Sequence, residues 1–104
     1  MLAIPATAED FNIPSEEDLE RIGVASEPAG MALKCGLDWE PYYLAFMARE
    51  RRKPWTQEQL AFIGALFGFY QASYAEELPD DFCSDERVNE IGALMAERRA
   101  EWSR

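Results

Sequence analysis

The chain has 104 residues, with ten Lys and Arg against 20 Asp and Glu, no histidine, and a formal net charge of −10. This length suits one domain, 1–104, and the 48% of hydrophobic residues is too high for an acidic disordered polymer. The lack of histidine removes the Ser-His and Cys-His nucleophile systems, and the negative charge disfavours duplex DNA, whose phosphates need clustered Lys and Arg.

The first 14 residues are predicted to form an irregular strap over the body, because Pro5 and Pro14 interrupt any helix there. This segment has no Lys or Arg and so lacks the basic region of a signal peptide. The longest apolar run, Leu60 to Tyr70, is too short to cross a bilayer as a helix. We therefore expect a cytoplasmic protein without a membrane span.

Two short helices are expected next. Ser15 is a suitable N-cap and acidic residues follow it, which predicts a helix that runs to about residue 22 and ends at Gly23. Ser26, followed by Pro28, repeats the start signal and predicts a second helix that ends at Gly36.

A third helix is predicted from Asp38 to the residues just before Pro54. Trp39, Tyr43 and Phe46 recur at helical spacing in it and form one apolar face.

The principal helix is predicted over 57–77. Thr56, with a glutamine three residues later, forms a capping-box pattern at its start, and the apolar run Leu60 to Tyr70 lies inside it. Gly64 and Gly68 are spaced as in close helix pairs, which predicts tight packing of a central helix.

A fifth helix is predicted from the N-cap Ser84 to about Trp102, and no segment alternates as a strand does. The expected fold is all-α: a compact bundle of about five helices around the central helix 57–77. Cys35 and Cys83 have no CxxC pair and no histidine beside them, so we expect free buried thiols, no metal site and no cofactor.

Two groups of carboxylates are the candidate partner-binding residues. They are Glu16, Glu17 and Asp18 in the first group, and Glu76, Glu77, Asp80, Asp81 and Asp85 in the second. If the two groups shared one side of the bundle, they would imitate a phosphate track and occupy a basic groove on another protein. Acids at helix starts also complement the helix dipole, which explains part of both groups without any partner.

A basic segment supports an alternative function, the binding of single-stranded nucleic acid. It contains Arg49, Arg51, Arg52 and Lys53, followed by Trp55. Guanidinium groups beside an indole can clamp an extruded base or a phosphate. Cations at a helix C-terminus also stabilise the helix itself, which is the competing structural explanation.

The leading hypothesis is a non-enzymatic, monomeric acidic protein without catalytic residues, which blocks a basic or nucleic-acid-binding surface of a larger assembly. The expected partner is a protein with a basic surface, including one within a nucleoprotein complex. In size and charge the chain is similar to the small acidic inhibitors that phages encode against bacterial defence systems, including anti-CRISPR proteins. A further alternative is a helical adaptor or structural subunit that assembles through Tyr42, Trp55 and Trp102.

Overall fold

The structure is a computed structural model and describes residues 13–104, so the predicted strap lies outside the described residues except for its last two. Over this range the chain forms four α-helices and no strand, which confirms the all-α class and corrects the expected number of helices. The helices are α1 (Glu16–Lys34), α2 (Glu40–Glu50), α3 (Gln57–Glu77) and α4 (Asp85–Trp102).

The two short helices expected at the start are one continuous helix, α1. The Ser15 side chain accepts the Asp18 backbone N–H and caps it as predicted. Gly23 does not end the helix, because it is buried within α1. Ser26 does not begin another, because its hydroxyl is buried and donates to the Gly23 carbonyl at 2.8 Å. The helix ends before Gly36, which has the positive φ of 68° that favours glycine.

Pro28 lies inside α1, where the proline has no backbone N–H to donate to the Val24 carbonyl. Arg98 of α4 supplies the missing donor, with its Nη1 at 3.0 Å from the Val24 oxygen. The next carbonyl, that of Ala25, accepts the hydroxyl of Tyr42 from α2. Helix α1 therefore tolerates its proline because two neighbouring helices donate to carbonyls one turn before it.

Helices α1 and α3 run in the same direction. The start of α1 meets the chain just before α3, where Arg21 binds Glu50, and the end of α1 meets the chain just after α3, where Lys34 lies 3.4 Å from Asp80. Both α1 and α2 contact every other helix, whereas α3 and α4 do not contact each other within the described residues. The pair α1–α2 is therefore flanked by α3 and α4.

Helix α3 has the predicted bounds and its capping box, but it does not occupy the centre of the bundle. Within its apolar run, Ile63 and Phe67 are fully buried, whereas Ala61, Ala65 and Phe69 are exposed. A helix that is apolar on all sides buries only the side that its neighbours cover, and among the helices of residues 13–104 those neighbours are α1 and α2.

The tightest of the glycine contacts between helices is at Gly30 of α1, not at the glycine pair in α3. A Cβ atom added at Gly30 would lie 2.6 Å from Tyr74 Cβ and 2.9 Å from the Gln71 carbonyl oxygen. At Gly64 it would lie 2.9 Å from the hydroxyl oxygen of Tyr43, and at Gly68 it would meet nothing within 4 Å. The predicted tight packing is thus present at Gly64 and wrong at Gly68.

Cys35 and Cys83 form a disulfide, so the prediction of free thiols is wrong. They are 48 positions apart in sequence but meet because the end of α1 adjoins the loop that follows α3. Disulfides persist mainly in oxidising compartments, which counts against the predicted cytoplasmic location. No helix between residues 13 and 104 is long and apolar enough to cross a membrane.

Candidate binding groove between α1 and α3

An open groove runs along the outer contact between α1 and α3. Tyr70 and Tyr74 of α3 form one wall, and Val24, which is 52% exposed, lies on the other. The Tyr70 ring lies against Gly23, since a Cβ added there would be 3.8 Å from ring atom Cε2. The absence of a side chain at Gly23 therefore lets the tyrosine ring lie close to the α1 backbone.

The groove continues over the outer side of α3 through Phe69, the most exposed aromatic residue of the described chain at 65%. The Phe69 and Tyr70 rings are 5.9 Å apart and inclined at 58°. Three aromatic side chains thus share one surface. We call this surface the tyrosine groove; its residues are Leu19, Glu20, Gly23, Val24, Phe69, Tyr70, Ser73, Tyr74 and Glu77.

The charged residues that line the tyrosine groove are acidic. Glu20 and Glu77 line it, Glu27 lies close by, and no Lys or Arg is among its residues. Burial raises the pKa of the Tyr74 hydroxyl, and the carboxylates of Glu27 and Glu77 raise it further. Tyr74 therefore stays protonated and can donate a hydrogen bond from a surface that attracts cations.

The first predicted acidic group lies at the start of α1. Glu16 and Glu17 are exposed there, whereas Asp18 binds Arg21 at 3.1 Å and accepts a hydrogen bond from Ser15 at 3.0 Å. Burial favours a higher pKa for Asp18, but these hydrogen bonds and the charge of Arg21 outweigh it, so the pKa is lowered. The carboxylate of Asp18 is therefore already bound by side chains of the protein itself.

The second predicted group lies at the opposite end of α1, and its members are all exposed: Glu76, Glu77, Asp80, Asp81 and Asp85. The 18 residue steps of α1 put the two groups about 27 Å apart along the helix. They do not form one continuous track. Glu77 is the one predicted acidic residue that lines the tyrosine groove, which lies between the two groups.

Most of the basic segment is used inside the protein. Arg52 donates to the Trp102 carbonyl at 2.6 Å, Lys53 lies 3.4 Å from Glu50, and the Trp55 indole N–H donates to Glu50 at 3.1 Å. The indole N–H of Trp55 is therefore occupied, and its ring is partly buried.

Arg51 is exposed, and Arg49 lines a separate pocket next to α4. Tyr42 and Trp102, the other residues expected in an adaptor interface, are buried, with ring centres 5.0 Å apart. Both rings pack in the core, and only 1% of Tyr42 and 8% of Trp102 are exposed.

Glu50 is fully buried and is the one charged residue so placed in the described part of the chain. Arg21 donates to both of its oxygens, at 2.7 and 3.1 Å, and the Trp55 indole and Lys53 complete its surroundings. Burial favours a higher pKa for Glu50, but the hydrogen bond and charge of Arg21, helped by Trp55 and Lys53, lower it. A carboxylate held this way links α1 to the α2–α3 connection.

The tyrosine groove is hard to recognise from the sequence, because Tyr70 and Tyr74 share a helical stripe with the buried Ile63 and Phe67 and their spacing alone is typical of core residues. The available signal was Phe69, which lies on another side of the same helix. A helix with aromatic residues on several sides and few neighbours must expose some of them.

Comparison of the chain with protein-family models, curated proteins and solved structures finds no match. Its function is therefore inferred from its own residues and their geometry.

Proposed function

We propose that this protein is a non-enzymatic binding protein whose tyrosine groove takes a basic segment of a protein partner. The segment carries an apolar side chain that fits between the tyrosines and Val24, with Lys or Arg on either side. The observation that carries the proposal is the grouping of three exposed or half-buried aromatic rings with carboxylates and no cation.

Aromatic side chains provide most of the binding energy at many protein interfaces, because they bury a large area at a low cost in conformational entropy. Tyr70 and Tyr74 are already fixed by packing on α1, so binding would order them little further. This favours a recognition site of fixed shape.

The carboxylates act at longer range. Glu20, Glu27 and Glu77 surround the groove, and the exposed acids at both ends of α1 extend the negative potential beyond it. Complementary charge of this kind speeds association and selects a basic surface, while the groove supplies the short-range contact.

A monomer of this kind would inhibit a larger assembly by covering a basic, nucleic-acid-binding surface, including that of a nucleoprotein complex. This is the mode of action expected from the similarity in size and charge to phage inhibitors of bacterial defence systems. The exposed groove needs no nucleic acid and no cofactor for such binding.

The test is an NMR titration of the isotope-labelled protein with a short helical peptide of alternating leucine and lysine clusters. We expect saturable shifts at residues 19–27 of α1 and 69–77 of α3. Tyr74→Ala should weaken binding by about tenfold or more, because a truncated hot-spot residue typically costs more than about 1 kcal/mol.

The matched control removes a carboxylate elsewhere: Glu97→Gln on the exposed side of α4 should leave the affinity within about twofold, as expected for a distant surface charge. The Glu77→Gln variant should weaken binding and reduce its salt dependence. Equal effects of the two substitutions, or no shifts in the groove at low salt, would rule out this site.

A further inference from the structure

A pocket of about 200 Å³ opens between α1, α2 and α4 and shares Val24 of its lining with the tyrosine groove. Three arginines line it, one from each helix: Arg21, Arg49 and Arg98. Its apolar wall consists of Phe46, which is fully buried, and Trp102, which is 8% exposed. The chain has only ten Lys and Arg residues and a net charge of −10, so three guanidinium groups at one pocket are an unusual concentration of positive charge.

The charges of these arginines are not all balanced. Arg21 binds the carboxylates of Glu50 and Asp18, so its charge is neutralised within the fold. Neither Arg49 nor Arg98 has a carboxylate within ion-pair distance in residues 13–104. The pocket thus holds two unbalanced guanidinium groups, with one carboxylate from Glu101 on its lining.

Arg98 is also held in place. Its Nη1 donates to the Val24 carbonyl at 3.0 Å and to the Tyr42 hydroxyl at 3.3 Å. These bonds fix the plane of the guanidinium, while its Nε and Nη2 groups make no hydrogen bond within the described residues. A fixed guanidinium with free donors matches the two oxygens of a carboxylate or phosphate group.

The geometry points to a binding site for a small organic anion, a carboxylate or phosphate group carried on an apolar body. Arg98 and Arg49 hold the anionic group, and the exposed part of Trp102 contacts the apolar part. The indole and phenyl rings exclude water from one side, which strengthens the charged hydrogen bonds. The volume of the pocket admits a ligand of about one aromatic ring.

Benzoate and phenyl phosphate are the probes, and benzamide is the uncharged comparison. They are titrated into the isotope-labelled protein while the Trp102 indole N–H signal is followed. We expect saturable shifts with at least one of the two anions and none with benzamide at equal concentration. The two anions separate a carboxylate preference from a phosphate preference.

Two substitutions of matched chemistry complete the test. Arg49→Gln should weaken binding by about tenfold, as expected for the loss of a charged hydrogen bond, whereas Arg51→Gln on the neighbouring exposed surface should change it less than twofold. Shifts that do not saturate, equal binding of benzamide, or equal effects of the two substitutions would overturn the site. The pocket shares only Val24 with the tyrosine groove, and neither Arg49 nor Arg51 lines that groove, so the effects of these two substitutions can be told apart from effects on binding of the basic peptide.

Discussion

The buried ion pair between Arg21 and Glu50 allows a quantitative test of what holds the described fold together. Arg21→Met keeps an unbranched apolar side chain in place of the arginine stem but removes both hydrogen bonds to Glu50. The fully buried carboxylate is then left with the Trp55 indole and with Lys53 at 3.4 Å. Removal of one partner of a buried ion pair lowers the free energy of unfolding by about 3–5 kcal/mol. Because Glu50 keeps its contacts with Trp55 and Lys53, we expect a loss near the lower end of that range.

A loss of about 3 kcal/mol is a large part of the 5–15 kcal/mol by which domains of this size are stable. The assay is urea unfolding of the intact disulfide form, followed by circular dichroism. Asp18→Asn is the control: it removes only the outer, partly exposed arm of the network, so it should cost about 0–1 kcal/mol.

The double variant Arg21→Met with Glu50→Leu separates the loss of attraction from the cost of a buried charge. Because no carboxylate remains to be desolvated, it should be more stable than Arg21→Met alone. If Arg21→Met costs less than about 1 kcal/mol, or the double variant is less stable than the single one, the buried pair does not have the assigned role.

The same pair makes stability depend on pH. The folded-state pKa of Glu50 is lowered, so its contribution is fully present above the ordinary glutamate pKa and is lost as the pH falls through the folded-state value. In Arg21→Met the effect of burial dominates and raises the Glu50 pKa, so acid unfolding should begin at a higher pH. Unfolding free energies of both proteins across the acidic range measure the difference, and identical profiles would contradict it.

Three further changes probe the disulfide, the contact between α1 and α3, and the helix cap. Reduction of the Cys35–Cys83 bond, which closes a loop of 48 positions, should lower the unfolding free energy by about 4 kcal/mol in the chain-entropy description; an unchanged urea midpoint with reductant would refute the bond. Gly30→Ala should destabilise by about 1–3 kcal/mol because the new methyl group meets backbone, whereas Gly68→Ala, in open space, should stabilise by up to about 1 kcal/mol; the same sign in thermal unfolding would refute the assigned packing. Thr56→Ala should cost about 1 kcal/mol through loss of the capping box, and no change in the urea midpoint would contradict this.

Three of the helix starts were predictable because their signals are local, whereas Ser26 begins no helix and α2 begins at Glu40 rather than at the predicted Asp38. Ser15, Thr56 and Ser84 each accept a backbone N–H three residues further along the chain, which involves no tertiary contact. For the same reason the bounds of α3 and α4 agree with expectation.

The features that the sequence did not predict depend on residues far apart in the chain. The continuation of the helix through Pro28 depends on Arg98, which donates to the freed Val24 carbonyl, and on Tyr42, which donates to the next carbonyl; both lie in other helices. The disulfide likewise depends on the parallel course of α1 and α3. Periodicity indicates which residues of a helix share a face, but not how many of its faces are covered.

The candidate site also combines a property that the sequence shows with an arrangement that depends on residues far apart in the chain. The net negative charge was readable from composition and supports binding to a basic partner, but the predicted carboxylates lie at two ends of α1. Tyr70 and Tyr74 are candidate binding residues because the fold places Gly23 and Val24 of α1 beside them.

Site-specific photocrosslinking in cells that produce the protein tests most directly whether the tyrosine groove is its binding surface. A photoreactive phenylalanine analogue replaces Phe69, and a second protein carries it instead of Ala96 on the exposed side of α4. We expect crosslinks from position 69 to a Lys- and Arg-rich segment of one protein, lost on Tyr74→Ala, and none from position 96. Capture of the partner from position 96 alone, or a partner segment without basic residues, would contradict the proposed function.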